Sequence, residues 1–208
     1  FTEEFNQNSV LLIDNLDSFT FNIAHMICGL GYDVNILNGR SSSTPSAKEI
    51  MEQLNPSHII LGPGPGWPQD SPLTMEFARM ALAGELPPTL GICLGHQAIG
   101  IAAGWPLVHS PSGPVHGTPV ECRHNGNGLF SNLPEINMTR YNSLTLLSSD
   151  NRDDSTVLID ATDATKSLVL AIRSKTYPVF GVQFHPESVG SQSGALILDA
   201  FLNYQAHG

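Results

Sequence analysis

The chain is poor in positive charge: 9 lysines and arginines stand against 19 aspartates and glutamates, a formal charge of −10 over 208 residues. Gripping a nucleic-acid backbone needs a basic footprint, so no nucleic-acid partner is expected. Long apolar runs are missing too. None approaches the ~18 residues of a transmembrane helix, and no membrane partner is expected. Only three cysteines occur, Cys28, Cys93 and Cys122, widely spaced and without a C-x-x-C pair. That argues against a disulfide framework or a cysteine zinc site, and fits reduced thiols in a cytosol-like compartment. The histidines show no H-E-x-x-H spacing, and no G-x-x-x-x-G-K-[ST] occurs, so neither a zincin helix nor a P-loop is expected.

What is present suits a globular fold. Hydrophobic residues make up 41% of the chain and the mean hydropathy is −0.02. The length is enough for one well-cored α/β domain and short for two, so a single domain over 1–208 is expected. Phe1 to Asn8 is polar, unlike a signal peptide, and reads as a flexible segment.

The first half alternates strand and helix. Strands are expected at Ser9 to Ile13, Val34 to Leu37, His58 to Leu61 and the run into Cys93. Helices are expected at Phe19 to Leu30, stopped by Gly31, from Ser46 to Leu54, over Pro72 to Leu82, and after Cys93 through Ile101. Ser46-Ala47-Lys48-Glu49 has the S-x-x-E form of a capping box. This order predicts a largely parallel, mixed open α/β sheet with helices on both faces. Such crossovers place functional loops at the C-terminal strand ends. Asp14–Ser18, Gly62–Gly66 and Cys93 all fall there. The second half reads as strands joined by turns: Pro106 to Val108, Thr118 to Glu121, Ser143 to Leu147, Thr156 to Ile159, Leu168 to Ile172 and Val179 to Phe184. Some of these are expected to be antiparallel. A helix from Gln192 to Tyr204 closes the chain.

Two clusters carry chemistry. Gly91-Ile92-Cys93-Leu94-Gly95 has the form of a nucleophile elbow, with a thiol in place of the hydroxyl of G-x-S-x-G. A sharp strand-to-helix turn strains the nucleophile's backbone and leaves no room for flanking side chains. The helix that follows aims N–H groups and its positive dipole end at the sulfur, favouring thiolate. Alone, the pattern also fits a buried structural cysteine. The second cluster, Gly181-Val182-Gln183-Phe184-His185-Pro186-Glu187-Ser188, tips the balance. Pro186 disfavours α conformation at His185, and an extended chain sends residues i and i+2 to one side. His185 and Glu187 are thereby expected to project together as a base and its orienting carboxylate. Between these clusters, Gly62-Pro63-Gly64-Pro65-Gly66 resists helix and sheet and exposes glycine N–H groups. It suits an oxyanion or carboxylate contact, or a plain strand-to-helix connection.

Gly91–Gln97 (GICLGHQ), Gly181–Ser188 (GVQFHPES), Gly62–Gly66 and Arg140-Tyr141-Asn142-Ser143-Leu144 resemble the class I (Cys-His-Glu) glutamine amidotransferases. Leu11 to Thr20 (LLIDNLDSFT) is more selective. It is similar to the branch that serves chorismate-using synthases, the glutaminase component of anthranilate synthase and its counterpart in aminodeoxychorismate synthase. The match runs from about Val10 to Leu202. The resemblance implies a flavodoxin-like fold and hydrolysis of L-glutamine, with ammonia passed to a chorismate-binding synthase, the anthranilate-forming one first and the aminodeoxychorismate-forming one second. Cys93 would attack the glutamine side-chain amide, His185 would move the proton, and Glu187 would orient the imidazolium. Backbone N–H groups of Leu94 and Gly64 would hold the oxyanion. Gln97, Ser143 and Leu144 would take the α-amino and α-carboxylate ends, with Pro65 and Gly66 completing the wall. The resemblance implies no metal or organic cofactor in this chain, Mg²⁺ being expected only in the partner synthase, and a cytoplasmic location, or the plastid stroma in a plant.

Three departures from the family pattern stand out: Asn142 for a usual His, His116-Gly117-Thr118 without the usual Lys, and Gly104-Trp105 for a Gly pair. His96 is expected to pack or bond locally instead of acting as the base, and Asp14 and Asp17 to serve a turn and a helix cap. Two alternatives stay open: a stand-alone γ-glutamyl hydrolase with the same triad, and a non-catalytic subunit that keeps the fold.

Overall fold

The computed structural model describes residues 8–41, 45–111, 113–131, 133–134, 136–147 and 155–204; most of the expected N-terminal flexible segment, residues 1–7, lies outside these. The run Val10-Leu11-Leu12-Ile13 shows how the fold is organised. All four side chains are fully buried in β1 (Ser9–Asp14). Strand geometry sends alternate residues to opposite faces. Val10 and Leu12 pack with α1 (Thr20–Gly29) and α5 (Gly194–Leu202), while Leu11 and Ile13 pack with α2 (Ala47–Leu54), α3 (Pro72–Leu82) and α4 (Leu94–Ala102). A strand covered on both faces reads as a continuous apolar run, and this one does. Truncating one of these residues, Ile13→Ala for instance, would cost about 2–5 kcal/mol.

Four further strands run parallel to β1 or its neighbours: β2 (Asp33–Asn38), β3 (His58–Leu61), β4 (Thr89–Ile92) and β11 (Val179–Val182). Their order is β2-β1-β3-β4-β11. This is the flavodoxin-like arrangement, with its strand-order reversal between β1 and β3. Beyond β11 the sheet continues antiparallel through β10 (Val169–Ser174), β9 (Val157–Thr162), β6 (Thr118–His124) and β7 (Ile136–Arg140). A separate antiparallel pair joins β5 (Leu107–His109) to β8 (Leu144–Leu146).

The capping box forms as the sequence indicates: the Glu49 N–H donates to the Ser46 hydroxyl, and the Ser46 N–H donates to the Glu49 carboxylate at 2.9 Å. Gly31, just past α1, takes φ +89°, which a side chain would resist. β7 was not expected. Ile136, Met138, Thr139 and Arg140 are buried and only Asn137 is exposed, but the polar Asn137, Thr139 and Arg140 make the segment read as loop. The strand expected to reach Phe184 ends at Val182, where its parallel partner β4 ends at Ile92 and turns into the elbow; the Gln183 N–H still donates to the Leu170 carbonyl of β10. Among the described residues no helix is long and apolar enough to cross a membrane.

Candidate active site

Residues from the C-terminal ends of β1, β3 and β4 line one cavity of about 290 Å³, closed on the other side by His116 and Tyr141 to Leu144. At the end of β4, Cys93 has φ +52° and ψ −99°, a conformation costly for any residue with a side chain. Both flanking glycines are obligatory. A Cβ on Gly91 would lie 2.4 Å from the Gly95 backbone, and one on Gly95 would lie 2.0 Å from the Leu61 carbonyl oxygen. The elbow is thus wedged between β3 and its own helix. Leu94, first residue of α4, has an N–H with no intrahelical acceptor; that N–H and the Gly64 N–H donate to no protein group among the described residues.

The loop after β3 is pinned from beneath. Buried Asn15 donates from Nδ2 to the Gly62 carbonyl (2.8 Å) and accepts at Oδ1 from the Thr74 hydroxyl (2.8 Å). The Arg40 guanidinium donates to the Pro65 carbonyl. A Cβ on Gly64 would come within 2.5 Å of Asn15, so only glycine lets the loop lie this close. Asp14 and Asp17 serve the turn but not the expected helix cap: Asp14 accepts from Leu16 N–H, Asp17 N–H and the Thr20 hydroxyl, and Asp17 accepts from Phe19 N–H, while Phe19 holds the α1 N-cap position and no side chain caps the helix.

His185 and Glu187 meet, but not through an extended chain. Residues 186–190 form turns, with the Ser188 N–H donating to the His185 carbonyl. Pro186 keeps φ within turn range as readily as within strand range, and the antiparallel half of the sheet then fixes the turn. His185 N–H donates to the Thr139 carbonyl of β7, and the Ser191 hydroxyl donates to the His185 carbonyl at 2.6 Å. In this setting His185 Nδ1 donates to Glu187 Oε1 at 2.6 Å, with both side chains buried. Nε2, at the far side of the ring, is buried with no hydrogen-bond partner among the described residues, and Cys93 is close enough to act on the ring electrostatically. Burial by itself would lower the His185 pKa. The charge of Cys93, then the hydrogen bond and charge of Glu187, reverse this and raise it to about 11. Phe19 and Tyr141 close the ring in, their centroids 5.7 and 5.1 Å from the imidazole.

Gly64, Pro65, Gly66 and Gln97 line the cavity beside Cys93, as do Ser143 and Leu144. Leu94 contributes no lining side chain; it is buried and offers only its backbone. The carbonyls of Ser143 and Leu144 are already engaged, the first by Ser110 N–H and the second by Asn142 Nδ2 and Gln97 Nε2. Asn142, standing where the family pattern has His, is buried and bridges Arg140 to Leu144. Asp17 lines the cavity from the expected strand-end segment Asp14–Ser18, but the sequence reading did not single out His116, Tyr141 or Asn142 as cavity lining, or Asn15 as the support of the Gly62–Gly66 loop. Asn15 had a signal, lying in the strand-end segment Asp14–Ser18. Among the described residues no group of three or more His, Cys, Asp or Glu is placed to hold a metal ion. All three cysteines are free.

The sequence matches the family described as Glutamine amidotransferase class-I over residues 11–204. The chain belongs to this family. By that membership it is a glutamine amidotransferase. It is 38% identical over 196 residues to the aminodeoxychorismate synthase component 2 of Serratia marcescens, covering 93% of this chain and 99% of that protein. It is 37% identical over 196 residues to the anthranilate synthase component 2 of Azospirillum brasilense, covering 93% and 95%. Against the bifunctional protein TrpGD of Thermotoga maritima it is 36% identical over 197 residues, 94% of this chain but only 32% of that one. The same fold is found in a candidate GMP synthase component of Thermoplasma acidophilum, with a TM-score of 0.77 at 21% identity over 94% of this chain and 92% of the other.

Proposed function

We propose that this glutamine amidotransferase is the ammonia-producing subunit or domain of a chorismate-utilising synthase, and that Cys93, His185 and Glu187 carry its chemistry. The observation that supports this most is one constellation. A strained elbow thiol faces an imidazole that Glu187 holds from behind, at the mouth of a cavity lined by Gly64–Gly66, Gln97, Ser143 and Leu144.

The steps follow from those positions. His185 takes the Cys93 thiol proton, a transfer that the Cys93 and Glu187 groups beside the ring favour by raising the imidazole pKa to about 11. The sulfur attacks the side-chain carbonyl carbon of L-glutamine. The oxyanion that forms is held by the N–H groups of Leu94 and Gly64, which have no protein acceptor of their own among the described residues. Removing one such donor in other enzymes costs about 10²–10³-fold in rate. His185 then gives its proton to the departing nitrogen, and ammonia leaves a γ-glutamyl thioester. Water, deprotonated by His185, cleaves the thioester to glutamate and restores the pair. Glu187 stabilises the imidazolium at each protonated stage. No step needs a metal or organic cofactor in this chain; Mg²⁺ belongs to the partner synthase.

The partner reading rests on the names of relatives, one anthranilate synthase component and one aminodeoxychorismate synthase component, at 37% and 38% identity. The experiment is product analysis with glutamine, chorismate and Mg²⁺, adding each synthase component in turn. Anthranilate is the first expectation and aminodeoxychorismate the second. Glutamate without either product would sink the chorismate assignment, and wild type no more active than Cys93→Ala with both partners would sink the catalytic reading.

A further inference from the structure

Gln183 lies in the stretch that leads to His185, yet the mechanism above gives it no role. Its side chain is 1% exposed and does not line the cavity. It stands at the end of a buried chain of hydrogen bonds whose direction can be worked out atom by atom. Arg140 can only donate, so its Nε fixes the Asn142 oxygen as acceptor, at 3.0 Å. The Asn142 amide nitrogen must then donate, and it does so to the Leu144 carbonyl, at 2.6 Å. A carbonyl can only accept, so Gln97, also on the Leu144 carbonyl at 3.3 Å, presents its nitrogen there. The same nitrogen lies 3.1 Å from the Gln183 side chain, which must meet it with oxygen. That leaves the Gln183 amide nitrogen facing Cys93 Sγ at 3.6 Å, within range of an N–H···S bond.

We propose that Gln183 is a further catalytic residue of the amidotransferase, donating an N–H to the Cys93 thiolate and stabilising it both before attack and when the thioester breaks down. The inference rests on the glutaminase reading of Cys93 and deepens it. The donor is oriented by the network, not by chance: reversing the Gln183 amide would set oxygen against sulfur and nitrogen against nitrogen. A thiolate accepts such a bond more strongly than a thiol or a thioester sulfur, so the contact weakens as the acyl group forms and strengthens as sulfur leaves. The charged groups around the sulfur are His185 after β11 and Arg140 of β7, while Asp17 and His116 line the same cavity. Gln183 adds a neutral donor to this set. Gln183 lies outside the cavity lining but accepts from Gln97, which lines it, so its loss should lower kcat, and Gln183→Glu, which keeps the acceptor for Gln97, should do so with the KM for glutamine unchanged.

The test uses alkylation of Cys93 by iodoacetamide, which needs neither glutamine nor a partner. Cys28 is exposed and would react as well, so a Cys28→Ser background is used; Cys122 is fully buried. Rates are followed from about pH 4 to about pH 9, since alkylation reports the thiolate. In Gln183→Met the acid limb should move upward by about one to two pH units, the tenfold to hundredfold range of a hydrogen bond to a charged group. Gln183→Glu keeps the shape and the acceptor for Gln97 but sets carboxylate oxygen against sulfur. It should move the limb at least as far, and it carries the test should the Met variant not fold. An acid limb that coincides with wild type in a folded variant overturns the proposal, as does an unchanged kcat with a raised KM. Failure of the parent reading looks different: a wild-type chain that hydrolyses no glutamine with either synthase component, whatever its alkylation profile.

Discussion

His96 and His185 are buried to almost the same degree, 0% and 1% exposed, and both lie against β11 or the segment that follows it. Their protonation runs in opposite directions. His96, three residues into the elbow helix, is surrounded by packing; burial lowers its pKa to about 3, and the backbone of Gly181 and Val169 offsets this only in part. His185 meets the same burial but faces Cys93 on one side and Glu187 on the other, and its pKa rises to about 11. Burial penalises a charge only to the extent that no opposite charge is buried with it. The one histidine is therefore a neutral packing element at all physiological pH, and the other a stored proton. Among the buried thiols the same penalty falls on Cys122, which is packed in an apolar cluster and pushed up to about 12 by burial.

Removing the anion should break the contrast most completely. Cys93→Ala is expected to reduce glutamine turnover by at least about 10⁴-fold, to the uncatalysed background, and to bring the His185 imidazole titration down while that of His96 stays put. Imidazole NMR over a pH series checks this; a His185 signal that still titrates near pH 11 would refute the charge-pairing account. Glu187→Gln removes only the second anion. Turnover should fall by about 10²–10³-fold, within the range of general acid–base effects and less than for Cys93→Ala; equal losses would show that Glu187 does more than orient and balance. On the His96 side, Gly181→Ala would place a Cβ 2.8 Å from His96 Nδ1. Overpacking there should cost about 1–3 kcal/mol in urea denaturation.

The smallest effect is also the sharpest test of sign. His96 is protonated in the unfolded chain below pH 6.5 but not in the fold until about pH 3. Its contribution is present above pH 6.5 and lost as pH falls, at about 1.4 kcal/mol for each pH unit of that window. His185 has the opposite sign, its contribution complete below pH 6.5 and lost as pH rises through about 11. Replacing His96 by Leu should flatten the acid decline between pH 6.5 and about pH 4 without moving the alkaline one. Urea midpoints across that range would show it, and an unchanged acid slope would place the loss elsewhere.

The two histidines also mark how far local sequence reaches. The elbow was legible because its requirement is steric and short-range: Gly91 and Gly95 must lack side chains for reasons set within the motif itself and one neighbouring strand. His96 was read as a packing residue from its place beside Cys93. His185 and Glu187 were paired correctly for a reason that does not hold, since the chain turns at Pro186 where an extended run was expected. The contact depends on Thr139 of β7 and on Ser191, and β7 itself escaped notice because its polar Asn137, Thr139 and Arg140 look like loop. Gln183, Asn142 and Arg140 could not be connected from the sequence at all. Some forty positions separate Gln183 from the other two, and only adjacent placement at the sheet's end makes them one chain of hydrogen bonds.

By itself the sequence determined the parallel half of the fold, the family, and the elbow around Cys93, because apolar runs, glycine placement and short motifs act over distances that the chain spans locally. The tertiary structure alone decided which buried histidine carries charge, which carbonyls beside the cavity are already engaged, and which amide faces the sulfur. Those properties depend on what is buried beside what. Strand order sets that, and burial without a partner and burial beside an opposite charge move the same group in opposite directions.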